Sequence, residues 1–420
     1  MPSYDHVSDP TRRLGWAEHV AQKKERIMSA RVYARVFATL LASGVLLTTT
    51  TQAQTTWYVD DDALNDPGPG DPLVSDPLED GSAEHPFDAI QEGIDAASDG
   101  DTVLVLDGMY TGWLNKNLTF DGLAIEVRSA NGPEDCIIDC NDWGRAFLFD
   151  SDEGPHSVVD GFTVAHGWVE YPQSPEDGGA IACLPSASPT IMNCLLTDNV
   201  ALRMGGAIWM EGSPTIIGCT ITGNHTFYHG GGICCSSQSR GRGPHVIDCV
   251  ICDNWTSSWG GGIWWGGVAT DALISNCIIR DNWAAYGGGG IDCAAELTIV
   301  NCCLTGNVGG PPGGGGLFCS FFSDVDVINC TIAYNHFHSG ARGGGFVCSA
   351  SDDLIITNTV FWNNYPCEGW LIDGAQATIG YTNRGCNGFR GSEYIWGPGN
   401  IEADPLFVDS NSNDYHLAAC

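Results

Sequence analysis

Positive charge is scarce in this chain of 420 residues: 17 Lys and Arg stand against 51 Asp and Glu, a formal charge of −34. So acidic a chain cannot neutralise a phosphate backbone, which excludes nucleic acid as a partner. No apolar run reaches about 18 residues, so nothing in the mature chain reads as a membrane-spanning helix. Apolar stripes at 3.6-residue spacing are nearly absent, which sets aside helical bundles and helical repeats. The 43% hydrophobic content in turn argues against disorder. Small and soft residues are plentiful, with 55 Gly, 19 Cys and 14 Trp. Gly exceeds the usual ~7%, and an acidic, turn-rich protein with a sizeable core is what remains.

The first 53 residues read as separate from the fold. Met28 to Arg35 is basic, Val36 to Leu47 is apolar, and Thr51-Gln52-Ala53 offers small residues at the positions a signal peptidase reads. Residues 1–27 are polar and read as an upstream extension, with Met28 the initiator. Cleavage near Ala53 removes four acidic and seven basic side chains and moves the charge from −34 to −37. Lys116 is then the last remaining lysine. The expected location is secreted, periplasmic or cell-surface.

Two registers with one period run through the rest of the chain. A Gly-rich corner precedes an apolar residue at Ile181, Ile208, Ile233, Ile263, Ile291, Leu317 and Phe346. Beside it run Cys194, Cys219, Cys249, Cys277, Cys302, Cys330 and then Thr359, each followed five residues later by Asn199, Asn224, Asn254, Asn282, Asn307, Asn335 and Asn364. A period of about 27 residues signals a solenoid. Within each copy, short segments alternate with period two between turn residues, as in Cys219-Thr-Ile-Thr222. The expected fold is all-β, a parallel β-helix of about ten coils, each with three short strands, stacked at ~4.8 Å per coil. Identical positions then stack. Two buried thiol columns follow, with disulfides and a metal as the alternatives, and the Asn column reads as a turn amide bonding backbone and its stacked neighbours.

These residues carry a family resemblance. Asn199-Val-Ala-Leu-Arg-Met-Gly-Gly-Ala-Ile208 resembles the repeat of polymorphic outer-membrane proteins. Residues 55–415 resemble the right-handed parallel β-helix proteins of the pectin-lyase-like superfamily. His85 to Asp101 resembles that group's N-terminal cap, and Phe87, Ile90, Ile94 and Ala97 form one helical stripe over it. The resemblance implies an acidic Asp/Pro/Gly-rich lead-in (54–84), a cap helix (85–100) within a β-helix (85–415), regular repeats over 177–370, and a short end (416–420) that reads as truncated. Thr102-Val-Leu-Val-Leu106 reads as the first strand.

Catalytic signatures are another absence. The superfamily's lyases and hydrolases need clustered acids with a basic residue, or two or three spaced carboxylates, and neither pattern appears in context. An extracellular binding or adhesin-like module that contacts polysaccharide is therefore the first expectation, and a polysaccharide lyase or glycoside hydrolase the alternative. Residues one step after the corner position, Trp209, Trp264 and Asp292 among them, are expected to face outward. Trp259 and Tyr286 precede Gly corners, and Trp255 and Trp283 each follow a ladder Asn and are expected to stack. Trp209, Trp264, Trp259, Tyr286 and Asp292 are the candidate ligand-binding set, through ring stacking and carboxylate hydrogen bonds. No cofactor or metal is expected. The acids of the lead-in, from Asp60-Asp61-Asp62 to Glu79-Asp80, admit Ca²⁺ at most, and their spacing matches no EF-hand loop. N-terminal sequencing of the exported protein is expected to begin at Gln54; a start at Met1 or Met28 would remove the leader from the account.

Overall fold

The computed structural model describes residues 54–63, 74, 76–169, 177–237, 242–320, 323–338, 342–349, 353–385, 387–391, 394–409 and 414–417. The signal segment lies outside the described residues. From Thr56 onward the chain winds through four parallel sheets, visited in a fixed order within each coil. The first has thirteen strands, from Thr56–Val59 to Tyr394–Trp396, and the second has ten, from Gly108–Tyr110 to Val360–Trp362. The third has seven short strands, from Trp168–Val169 to His336–Phe337, and the fourth has eleven, from Leu118–Thr119 to Phe389–Arg390. One coil runs Thr190–Met192, Leu195–Thr197, Val200–Ala201 and Ile208–Met210, then returns to Thr215–Ile217 beside its start. The expected three strands per coil are thus four wherever the third sheet is present. The ladder Asn turns the chain, and two residues pair before it turns again.

In-register pairing stacks the repeat as the period requires. Ile181, Ile208, Ile233, Ile263, Ile291, Leu317 and Phe346 pair one to the next, and all are fully buried. The residues two steps on, Cys183, Met210, Cys235, Trp265, Cys293, Cys319 and Cys348, form the second interior column of the same sheet. Both columns belong to one continuous core that runs from Val59 to Ile379.

Corner chemistry explains the Cys register. The residue before each Cys takes a left-handed conformation, with φ of 52° at Asn193, 55° at Asp248, 54° at Asn276 and 55° at Asn301. Asn and Asp tolerate that region best among non-glycine residues. The thiol that follows turns inward and donates to the carbonyl two residues back. Cys249 Sγ lies 3.1 Å from the Ile247 oxygen, Cys277 Sγ 3.2 Å from Ser275 and Cys330 Sγ 3.2 Å from Ile328. Thr359 Oγ1 does the same to Thr357 at 3.0 Å, and Thr382 Oγ1 to Gly380 at 2.9 Å. The column therefore selects a small side chain with a donor. None of the seventeen cysteines of the described residues is in a disulfide.

The Asn register is the polar counterpart. From Asn199 to Asn364 every amide is fully buried. Asn254 is representative: its Nδ2 donates to Asn282 Oδ1 at 3.0 Å and to the Ile221 carbonyl at 2.9 Å. Its Oδ1 accepts from the backbone N–H and Nδ2 of Asn224, at 3.0 and 2.9 Å. Glu368 closes the ladder, because its buried carboxylate accepts from Asn364 Nδ2 at 2.6 Å and from Asn387 N–H at 3.2 Å. Burial raises the pKa of that carboxyl. At the Gly corner, Gly205, Gly230 and Gly260 hold φ of 67°, 71° and 75°. A Cβ on the next residue, Gly206 or Gly231, would collide with the carbonyl oxygen of the equivalent turn one coil on.

The sheet begins earlier than the sequence reading placed it. Thr56–Val59 in the lead-in pairs with Thr102–Val105, and so supplies a rung before the expected first strand. Helix α1 (Ile90–Ala96) buries Ile90 and Ile94 and sets Gly93 against Val59 and Val103. It spans fewer residues than the 85–100 stripe, because Ala89 and Ala97 are extended. Its first N–H is satisfied from a distance by Asn115 Oδ1 at 2.8 Å.

Two expectations follow. Asn254→Ala strands the backbone N–H of Asn224 and the carbonyl of Ile221, so urea unfolding should show a loss on the order of 3 kcal/mol. A loss under about 0.5 kcal/mol, the range of ordinary surface changes, would show the ladder to be decorative. Burial raises the thiol pKa of Cys235 and Cys293 to about 12, so iodoacetamide near neutral pH should spare these two in the native protein and label them once it is unfolded.

Candidate functional site

The residue after each ladder Asn opens a third-sheet strand, and alternation then decides what is shown to solvent. Ala201, Thr226, Thr256 and Ala284 point inward and are fully buried or nearly so. The residues before them, Val200, His225, Trp255, Trp283, Val308 and His336, pair in one column along the coil axis. Tyr365 extends it by a bridge to His336. This column is open. Trp255 is 41% exposed, and Trp283, His336 and Tyr365 are exposed as well.

The rings contact one another from coil to coil. His225 lies flat on Trp255, with centroids 3.4 Å apart and planes at 10°, and Phe227 tilts against it at 4.6 Å. Trp255 meets Trp283 edge-on at 6.4 Å, so the expected pair exists but is T-shaped. Trp283 in turn stacks on His338 at 5.8 Å, and His336 leans on Tyr365 at 6.3 Å. Burial lowers the His225 pKa to about 4, so this ring is a neutral platform at ordinary pH. Polar groups edge the column. Arg280 donates to Asp281 at 2.8 Å and lies 3.8 Å from Asp253, one turn before Trp283 and Trp255 respectively.

The candidate residues named from sequence divide between this face and the layer behind it. Tyr286 is 51% exposed and stacks on half-buried Trp259 at 6.5 Å, which places both at the edge of the open face. Trp209 and Asp292, expected to face solvent, are only 6% and 1% exposed, and Trp264 is half-buried. They do point away from the core, but a second layer roofs them. Met204, His229 and Trp259 bridge in register as the chain leaves the third sheet and fold back over the fourth. His229 stacks on Trp264 at 4.9 Å, Trp259 packs on Phe318 at 5.9 Å, and Met204 covers the cluster of Ala182, Trp209 and Cys234. Period-two alternation gives direction without giving exposure, and the roof comes from loops that no alternation describes. The aromatic face thus lies one sheet away from where the corner register placed it. The signal for it was the residue following each ladder Asn.

Asp292 occupies an unusual position in this second layer. It pairs in register between Trp264 and Phe318, and its Oδ2 accepts from Gly288 N–H at 3.0 Å. Burial raises its pKa to about 7. Such a carboxyl favours the fold when protonated. Its contribution should be fully present near pH 4, decline as the unfolded chain ionises above pH ~4, and level off above pH 7. Asp292→Asn keeps the acceptor for Gly288 and should flatten stability across that window in denaturation curves; an unchanged pH profile would show Asp292 to be ionised in the fold.

The chain is a right-handed parallel β-helix, the fold its resemblance to the pectin-lyase-like superfamily implies. Residues 206–392 match the family model described as a right handed beta helix region. Among solved structures, pectate lyase Pel9A is similar at 14% identity and a TM-score of 0.45, over 86% of this chain and 85% of that one. A rhamnogalacturonan lyase is similar at 14% identity and 0.43, over 86% and 92%. The catalytic domain of a GH87 α-1,3-glucanase in complex with nigerose follows at 14% and 0.38, over 74% and 67%. At these scores none of them bears on chemistry. No curated protein sequence matches the chain.

Proposed function

We propose that this β-helix is an exported, extracellular or cell-surface module that binds a polysaccharide along the aromatic column of its third sheet. The observation that carries the reading is the ring series of half-buried His225 with exposed Trp255 and Trp283, resumed after Val308 by His336 and Tyr365, in register with the coil axis. Rungs ~4.8 Å apart present rings at a repeat suited to an extended chain of sugar units. The faces of sugar rings are apolar enough to stack on Trp and Tyr, while Arg280, Asp253 and Asp281 offer partners to hydroxyl groups. The high negative charge disfavours a strongly acidic polymer and favours a neutral one.

Trp255→Ala and Trp283→Ala should each weaken polysaccharide affinity about tenfold, the equivalent of about 1.4 kcal/mol, as read by affinity electrophoresis or a glycan array. Trp113→Ala, which removes an exposed ring elsewhere, serves as the control. Unchanged affinity in the Trp255/Trp283 double variant would sink the reading.

Polysaccharide cleavage is the second reading, and the carboxylates of Asp253 and Asp281 beside the open column are what favour it, because hydrolysis uses two spaced carboxylates about one sugar. Incubation with neutral and uronate polymers, followed for new reducing ends or unsaturated product, tests it directly. Turnover abolished by Asp253→Asn or Asp281→Asn would replace binding with catalysis.

A further inference from the structure

We propose that Asp60, Asp61 and Asp62 form a Ca²⁺ site that fastens the first rung of the β-helix to the coil above it. The triplet lies where strand Thr56–Val59 runs out into a turn. One carboxylate oxygen from each residue can be chosen so that all three lie within 4.8 Å of one another. Its position is fixed from both sides: Val59 pairs with Val105, and the Asp60 N–H donates to the Phe87 carbonyl at 2.8 Å.

Acid clusters are common on a surface this negative, and proximity alone says little. The second observation concerns Asp61. It is only 8% exposed, and its Oδ1 is buried without a hydrogen-bond partner. Gly108 in the next coil lies directly against it, and a Cβ there would collide with that oxygen. The Tyr110 hydroxyl, close by, is already engaged with the Leu106 and Val59 carbonyls at 3.0 and 3.3 Å. A half-satisfied carboxylate under a protein layer, flanked by two more acids, is costly unless a cation neutralises it.

Ligand chemistry selects the ion. Two oxygens on one Ca²⁺, each at 2.3–2.6 Å, lie at most about 5 Å apart, so the three oxygens can share one ion. Three carboxylates held on a turn at the protein surface suit Ca²⁺, which takes six to eight oxygens in flexible geometry, better than Mg²⁺, which demands a near-ideal octahedron. Exposed Asp62 leaves room for water to complete the shell. Among the described acids of the lead-in, the structure thus selects three consecutive ones at the end of a strand.

The test is a Tb³⁺ titration of the chelator-treated full chain, read by luminescence sensitised through Trp57, Tyr58 and Tyr110. One saturable site is expected, displaced by Ca²⁺ and unaffected by a tenfold excess of Mg²⁺ over Ca²⁺. Ca²⁺ should raise the thermal midpoint, since an ion that binds only the folded chain stabilises it. Asp62→Asn, at an exposed position, should weaken Ca²⁺ by about tenfold or more, and Asp61→Asn should abolish the site, while Glu84→Gln leaves it intact. If Asp61→Asn fails to fold, the Asp62→Asn titration decides alone. The proposal is overturned by the absence of sensitised binding in the parent chain, by equal displacement with Mg²⁺, or by affinity that Asp62→Asn leaves unchanged.

Discussion

Everything in this molecule depends on one requirement: whatever a coil places at a corner must be satisfied by the same group one coil further on. Buried backbone turns carry donors and acceptors that water cannot reach, and an unpartnered one costs a few kcal/mol. The Asn ladder meets the requirement six times with the same geometry, from Asn199 to Asn335, each amide donating forward to its successor and back to a carbonyl of the preceding coil. Strand register, coil spacing and the direction of every side chain follow once that ladder is fixed, because a slip of one residue would break all of its bonds together.

The thiol column applies the same rule more weakly. A sulfhydryl is small and apolar enough for the core, and it still offers a donor to the carbonyl two residues behind it. Replacement of Cys by Thr359 and Thr382 at the late coils shows which property is retained. Cysteine abundance here reflects a packing niche repeated along an axis, with no cross-linking needed to explain it. The ladders must also end. Glu368 ends the amide series by supplying acceptors where no further Asn follows, and Gly167 N–H meets its other end at Asn199 Oδ1.

Around this frame the exterior is divided between sheets. The fourth sheet turns its outward column beneath a roof of Met204, His229 and Trp259, whereas the third leaves its column open. The difference arises from the Gly corner, where left-handed Gly205, Gly230 and Gly260 reverse the chain tightly enough to bring the preceding residue back over the fourth sheet. The corner that makes the coils stack therefore also hides Trp209 and Asp292 and leaves Trp255 and Trp283 in solvent.

Much of this was legible in the residues alone. A shared period in two registers specifies a parallel β-helix, since only stacked coils bring residues about 27 apart into contact, and it specifies which Cys and Asn stack. Trp259 and Tyr286 could be placed beside the corner for the same reason. Only the tertiary structure decided the rest. It set the fourth strand of each coil, the rung contributed by Thr56–Val59, the role of Glu368, and which outward positions meet water. Those features depend on how non-repeating segments fold back onto the solenoid, and a period describes only what repeats. Alternation along a strand tells which way a side chain points; what lies in front of it is settled by chain from another part of the molecule.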